Sequence, residues 1–251
     1  MEPTSRAEEI WRRIAPALNE IEDAVRPGEG FDPAKARLDI RVALPDDLEF
    51  ILLPRLLKRL AIEAPGIRLI VRPSDFRTLL DRLDEGDADL ALSATPTSGV
   101  ETRHRIEPLH RETFSVLYDP EMTKVSGALD LDTWLAYPHV LLTIKGDLSS
   151  TLDERLAEID RSRTILTGIS HFPTAPFVLK SVPSFLSMPS LAAHHFAQTY
   201  DLALASPPIE LGDFEVSLAW HIRTDADAAH KWLRDLVGST VGDLLRSPTR
   251  G

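Results

Sequence analysis

The sequence predicts an α/β fold of two lobes, each built on a doubly wound, mainly parallel sheet. Three observations lead there. Short apolar runs with strand character alternate with longer runs of helical period. Pro and Gly punctuate the joints between them. The alternation set up over 38–92 begins again after 114, and a chain of 251 residues has room for two cores of ordinary size.

Ser5 and Glu8 stand at capping-box spacing, and Ile10, Ile14, Leu18, Ile21 and Val25 then recur every three or four residues, so 5–25 reads as an amphipathic helix. Pro16 inside it removes a backbone donor and should bend it. Residues 26–33, with Pro27, Gly28, Gly30 and Pro33, read as a linker. An apolar stripe set off in this way needs cover, either from a second subunit or from the main domain. Residues 38–44 alternate as a strand, Pro45, Asp46 and Asp47 supply a turn and helix cap, and 48–64 run helically to the stop at Pro65-Gly66. A strand at 67–71 completes a unit whose two strands should be parallel with a right-handed crossover. A helix at 75–85, closed by Gly86, and a strand at 88–92 come next.

The second series has strands at 114–118 and 140–143, with a short helix near 131–135 between them. Beyond these lie a helix at 147–159, an extended run at 163–166, a helix at 175–182, an extended run at 184–188 and a helix at 190–199. A strand at 214–221 and a helix at 226–237 close the count, and 247–251 reads as a frayed tail.

A hydrophobic share of 43% against 27% charged leaves no room for a membrane span. Residues 1–17 are charged and lack the apolar core of a secretory leader, so a cytoplasmic location is expected. With no cysteine, disulfides, thiolate nucleophiles and thiolate zinc sites are excluded. A net charge of −11 repels a phosphate backbone, and Arg103, His104, Arg105, His110 and Arg111 read as a solvated connection between strands, so this chain is not expected to bind DNA by itself.

Open parallel sheets bind ligands beyond the carboxyl ends of their strands. The residues just after the predicted strands are Leu44, Pro45, Asp46 and Asp47; Ser93, Ala94 and Thr95; Thr143, Ile144, Lys145 and Gly146; Ser170, His171 and Phe172; and Met188 with Pro189. Hydroxyls, an imidazole, an ammonium, an aromatic ring and helix N-termini suit a small aromatic or anionic ligand. Each has a plainer reading. Asp46 and Asp47 serve equally as cap and first-turn charge, Ser93 and Thr95 as caps, Lys145 as a solvated loop residue, His171 as a core histidine and Met188 as packing. There is no nucleophile elbow, dinucleotide fingerprint, phosphate loop or H-E-x-x-H helix, and His194 and His195 are adjacent rather than four apart, so no enzyme, cofactor or metal is expected.

Longer motifs carry a resemblance. Leu53-Pro54-Arg55-Leu56-Leu57, Glu63-Ala64-Pro65-Gly66-Ile67-Arg68-Leu69 and Leu83-Asp84-Glu85-Gly86-Asp87-Ala88-Asp89-Leu90-Ala91-Leu92 closely resemble the regulatory domain of LysR-type transcriptional regulators. Asp119-Pro120, Pro138-His139, Ser170-His171-Phe172, Trp220-His221 with Asp225, and Trp232-Leu233-Arg234 extend the likeness over 32–237, toward nodulation and aromatic-degradation regulators. The resemblance implies the two-lobed fold of type 2 periplasmic binding proteins, joined by two crossover strands. It also implies a linker and dimerisation helix within 5–30, a first lobe from 37–116 with 222–245, and a second from 117–221.

It further implies a small-molecule effector, aromatic acids in related regulators, held between the lobes. The loops after the first and third strands and His171-Phe172 match its cleft; Lys145, Met188 and His221 match it less specifically. The expected assembly is a homodimer, or a tetramer made of two such dimers, reaching promoter DNA through a winged helix-turn-helix domain that this chain lacks. Thr4 to Ala7 resemble the point where that domain gives way to the linker. A transport solute-binding protein is the alternative on the same fold.

Overall fold

A computed structural model of the chain describes Ile14, residues 31–143 and residues 146–246. Apart from Ile14, the helix expected over 5–25 lies outside the described residues, as do the linker before Phe31, Ile144, Lys145 and the tail.

The chain runs β1 (Leu38–Leu44), α1 (Asp46–Glu63), β2 (Ile67–Pro73), α2 (Leu79–Glu85), β3 (Leu90–Ala94), β4 (His104–Glu112), β5 (Phe114–Tyr118), α3 (Leu131–Ala136) and β6 (His139–Leu142). It continues with α4 (Thr151–Ala157), β7 (Ile165–Ile169), a 3-10 turn at Phe172–Thr174, α5 (Ala175–Leu179), β8 (Phe185–Pro189), α6 (Ser190–Tyr200), β9 (Ala203–Ala205), β10 (Phe214–His221) and α7 (Ala228–Arg246). Among the described residues no helix is long and apolar enough to cross a membrane.

The strands form two five-stranded sheets, ordered β2-β1-β3-β10-β4 and β7-β6-β8-β5-β9. In each, four strands run one way and the fifth is inserted against them: β10 between β3 and β4, β5 between β8 and β9. The inserted strand is in both cases the first one laid down after the chain crosses from the other sheet. The crossings fall between Glu112 and Phe114 and between Ala205 and Phe214. The expected lobe boundaries therefore move, because Phe114 already pairs in the second sheet while Phe214–His221 pair in the first. Without β10 the facing edges of β3 and β4 would leave buried amides unpaired.

The sequence reads β4 as a solvated connection, and the composition of the strand explains why. It is an edge strand rich in charge, and Pro108 sits where its register with β10 shifts, between Val216 and Ser217. Proline, lacking an amide proton, is tolerated at edges and bulges. The extended run expected at 163–166 lies later, at Ile165–Ile169, because Arg163 turns inward to Asp153. Helix α4 starts after Ser150, which forms a complete capping box with Asp153, rather than at 147. Helix α7 continues past Gly238 because Thr240, Val241 and Leu244 are also buried.

Leu48, Ile51, Leu52, Leu56 and Leu60 repeat every three or four residues along α1 and put one face of that helix into a core shared by both lobes. Phe50 adds an aromatic contact to the second lobe, 4.6 Å from Phe196 and 5.6 Å from His195 between ring centroids. Each fully buried aliphatic side chain is worth about 1.5–3 kcal/mol, so this shared core holds the lobes in register.

Candidate functional site

Strands β1 and β3 are parallel neighbours, with Val42 opposite Leu90 and Ala43 opposite Ala91, so their carboxyl ends present Leu44, Pro45 and Asp46 beside Ser93, Ala94 and Thr95. In the second sheet β6 is parallel to both β7 and β8, which brings Thr143, His171 and Phe172 to the same end. The two groups meet at Asp46. The Phe172 amide donates to Asp46 Oδ2 at 2.6 Å, and His171 Nδ1 lies 3.8 Å from that oxygen. The His171 side chain is 72% exposed, which discards the core-histidine reading.

Burial pushes the Asp46 carboxyl above its usual range, while the Phe172 amide and His171 oppose the rise. Asp47, on the same first turn of α1, is buried; loss of water first, then the charge of Asp46, with Glu112 adding to it, push it up to about 7. Glu112, also buried, accepts from the Thr113 amide at 2.9 Å and from Leu191, at the start of α6, at 3.3 Å. A carboxylate from the first lobe thus caps a helix of the second.

The hydroxyls divide. Thr95 donates its amide to the Glu215 carbonyl at 2.8 Å, and its Oγ1 lies 2.5 Å from Ser217 Oγ, so it ties β3 to β10 rather than capping a later segment. Ser93 is buried. Thr143 donates to Asp147 at 2.7 Å and accepts from the Gly146 amide at 2.9 Å, which shapes the loop after β6.

Two of the remaining candidates sit away from these exposed loops, and two others are not described. Met188 is fully buried and packs in the shared core. His221 is at the wrong end: β10 runs antiparallel to β3, with Val216 opposite Ala94 and Ala219 opposite Ala91, which carries His221 beyond the amino end of β3. There its Nδ1 accepts from the Arg223 amide at 3.1 Å, and its Nε2 is 3.9 Å from Asp84. Ile144 and Lys145 lie outside the described residues. Sequence reading missed Ser217, Glu215 and Glu112. Nothing local marks them, because each reaches the site through pairing with residues remote in the chain. Among the described residues no group of three or more His, Asp or Glu side chains gathers as a metal ion would require.

The model of the LysR substrate binding domain matches residues 34–241. The HTH-type transcriptional regulator SyrM 1 of Sinorhizobium fredii is 28% identical over 96% of this chain and 70% of its own length. The HTH-type transcriptional activator NahR of Pseudomonas putida is 24% identical over 94% and 78%. Among solved structures, the regulatory domain of MexT, a transcriptional activator in Pseudomonas aeruginosa, superposes with a TM-score of 0.71 at 31% identity, covering 82% of this chain and all of that one. A putative transcriptional regulator from Vibrio parahaemolyticus gives 0.72 at 28%, covering 85% and 99%.

Proposed function

Because this chain belongs to the family of LysR substrate binding domains, we propose that it senses a small effector between its lobes and passes the event to a DNA-binding domain. The family and the named relatives are transcriptional regulators, which sets aside both an enzyme and a transport protein. One observation carries the reading: the carboxyl ends of both sheets face each other across the Asp46–Phe172 hydrogen bond. A molecule entering beside that bond contacts both lobes, and its binding energy differs between open and closed arrangements, as a switch requires.

The proposed walls are Leu44, Pro45, Asp46, Ser93, Ala94 and Thr95 from the first lobe and Thr143, His171 and Phe172 from the second, with Ile144 and Lys145 on the same loop as Thr143. Neutral hydroxyls and an exposed imidazole suit an aromatic carboxylate or phenol. The working unit in this reading is a cytoplasmic homodimer, or a tetramer of two dimers, that reaches promoter DNA through a winged helix-turn-helix domain.

Thermal-shift screening of aromatic carboxylates tests the binding. A ligand at a hundred times its Kd stabilises by about 2.7 kcal/mol, a rise of about 5–10 °C for a chain of this size. Thr95→Ala and His171→Ala should each weaken the response. A full panel without a shift, or a hit indifferent to both substitutions, refutes these walls.

A further inference from the structure

The seam between the lobes closes over ionisable groups. Asp46 and Asp47 open α1, and the turn at Phe172–Thr174 of the second lobe lies against that end of the helix. The Phe172 amide donates to Asp46, and Phe172 is buried in the same core as Leu48. Aspartate is almost never buried unless something pairs with it. Yet Asp47 is only 6% exposed, and the charges that act on it, Asp46 and Glu112, are both negative. Among the described residues neither Asp46 nor Asp47 forms an ion pair with lysine or arginine.

The other titratable groups on the elements that meet at this end are few. Glu49 shares the first turn of α1. His171 on the second-lobe loop lies 3.8 Å from Asp46. Glu112, the last residue of β4 before the chain crosses, accepts from the Leu191 amide of the second lobe and has His110 Nε2 3.4 Å away. Arg111 on the same strand is bonded to Asp213 instead. On α6, His194 Nδ1 donates to the Ser190 carbonyl at 2.7 Å.

We propose that Asp47, with Asp46 beside it, is a proton-operated clamp between the lobes, which hold together while Asp47 keeps a proton and loosen as it gives that proton up. Hydration drives the clamp. A rotation that lifts the Phe172 turn lets water reach both carboxyls, and water stabilises their charged forms. Buried, Asp47 holds its proton up to about 7; wetted, it returns to the ordinary 3.8. Closure therefore binds a proton that opening releases. By reciprocity the closed arrangement is favoured at low pH and weakens as pH rises from 3.8 to about 7. Full wetting would raise the open-to-closed ratio about a hundredfold between pH 5 and pH 8, and partial wetting less. A protonated His171 paired with Asp46 acts in the same direction. The clamp sets the angle of the lobes whether or not an effector binds between them.

The sequence holds no cysteine, so Asp81→Cys on α2 and Glu154→Cys on α4, both exposed, place one spin label on each lobe of the 251-residue chain. Distances between the labels, measured by double electron–electron resonance, should gain a longer population as pH rises from 5 to 8. Asp47→Asn, with no proton to release, should keep the pH 5 distribution throughout. Asp46→Asn removes a charge that helps Asp47 hold its proton and should move the response to lower pH, which keeps the test decisive if the Asp47 variant does not fold. His171→Gln should retain the response. Distances indifferent to pH or shortening as it rises, a response that survives in Asp47→Asn, one unmoved in Asp46→Asn, or one lost in His171→Gln would each overturn the clamp.

Discussion

Replacing Asp47 by Asn should change how stability depends on pH. The carboxyl of Asp47 moves from an ordinary 3.8 to about 7 in the folded chain, chiefly through burial and then through the charge of Asp46. Between those two values the folded state holds a proton that the unfolded state has released, so stability falls as pH rises through that window and levels off above about 7. At about 1.4 kcal/mol for each tenfold change in proton affinity, the full loss is about 4 kcal/mol, with about 3 kcal/mol of it between pH 5 and 8.

His139 works in the opposite sense. Burial first, and then Arg163, lower its imidazole from 6.5 to about 4, so its contribution grows as pH rises from about 4 to 6.5, by about 3 kcal/mol. The two offset each other in the native chain over much of that range. The useful quantity is therefore the difference between Asp47→Asn and the native chain in urea unfolding, monitored by circular dichroism. That difference should swing toward the variant by about 3 kcal/mol from pH 5 to pH 8. A constant difference across that range would refute the assignment of a buried, protonated Asp47.

Asp46→Ala should abolish protection of the Phe172 amide in hydrogen exchange, while Asp46→Asn, which keeps an acceptor oxygen, should retain most of it; equal protection in both variants contradicts a bond between the lobes. Gly168→Ala places a Cβ 2.5 Å from Cγ2 of Thr143 and should cost about 1–3 kcal/mol, measured as a lower urea midpoint. Thr143→Ser removes the offending methyl, so most of that cost should vanish in the double variant, and additive effects would count against the clash. Leu56→Ala, at a position with no exposure in the shared core, should cost about 2–5 kcal/mol; a loss under about 1 kcal/mol would mean that α1 does not clamp the lobes.

Legibility in the sequence tracks the range of the forces involved. The apolar period of α1, the stop at Pro65-Gly66 and the left-handed Gly86 act within a few residues, and all appear where the sequence places them. The loops Leu44 to Asp46 and Ser93 to Thr95 are also legible, because parallel strands must present their carboxyl ends together. Strand β4 is not, since an edge strand buries little and its charges and Pro108 mimic a loop. His221 is misplaced for a related reason: which end of a strand approaches a site depends on its direction in the sheet, and one sequence serves either direction.

By itself, then, the sequence determined the two series of strands and helices, the apolar faces and the kinds of side chain offered at the strand ends, because periodicity and turn chemistry are written locally. Only the tertiary structure decided that β10 and β5 insert against their neighbours, that Ser217 meets Thr95 and that Asp46 bridges to Phe172. Those contacts join residues tens to more than a hundred positions apart, and they arise from how two sheets share one core and satisfy each other's buried polar groups.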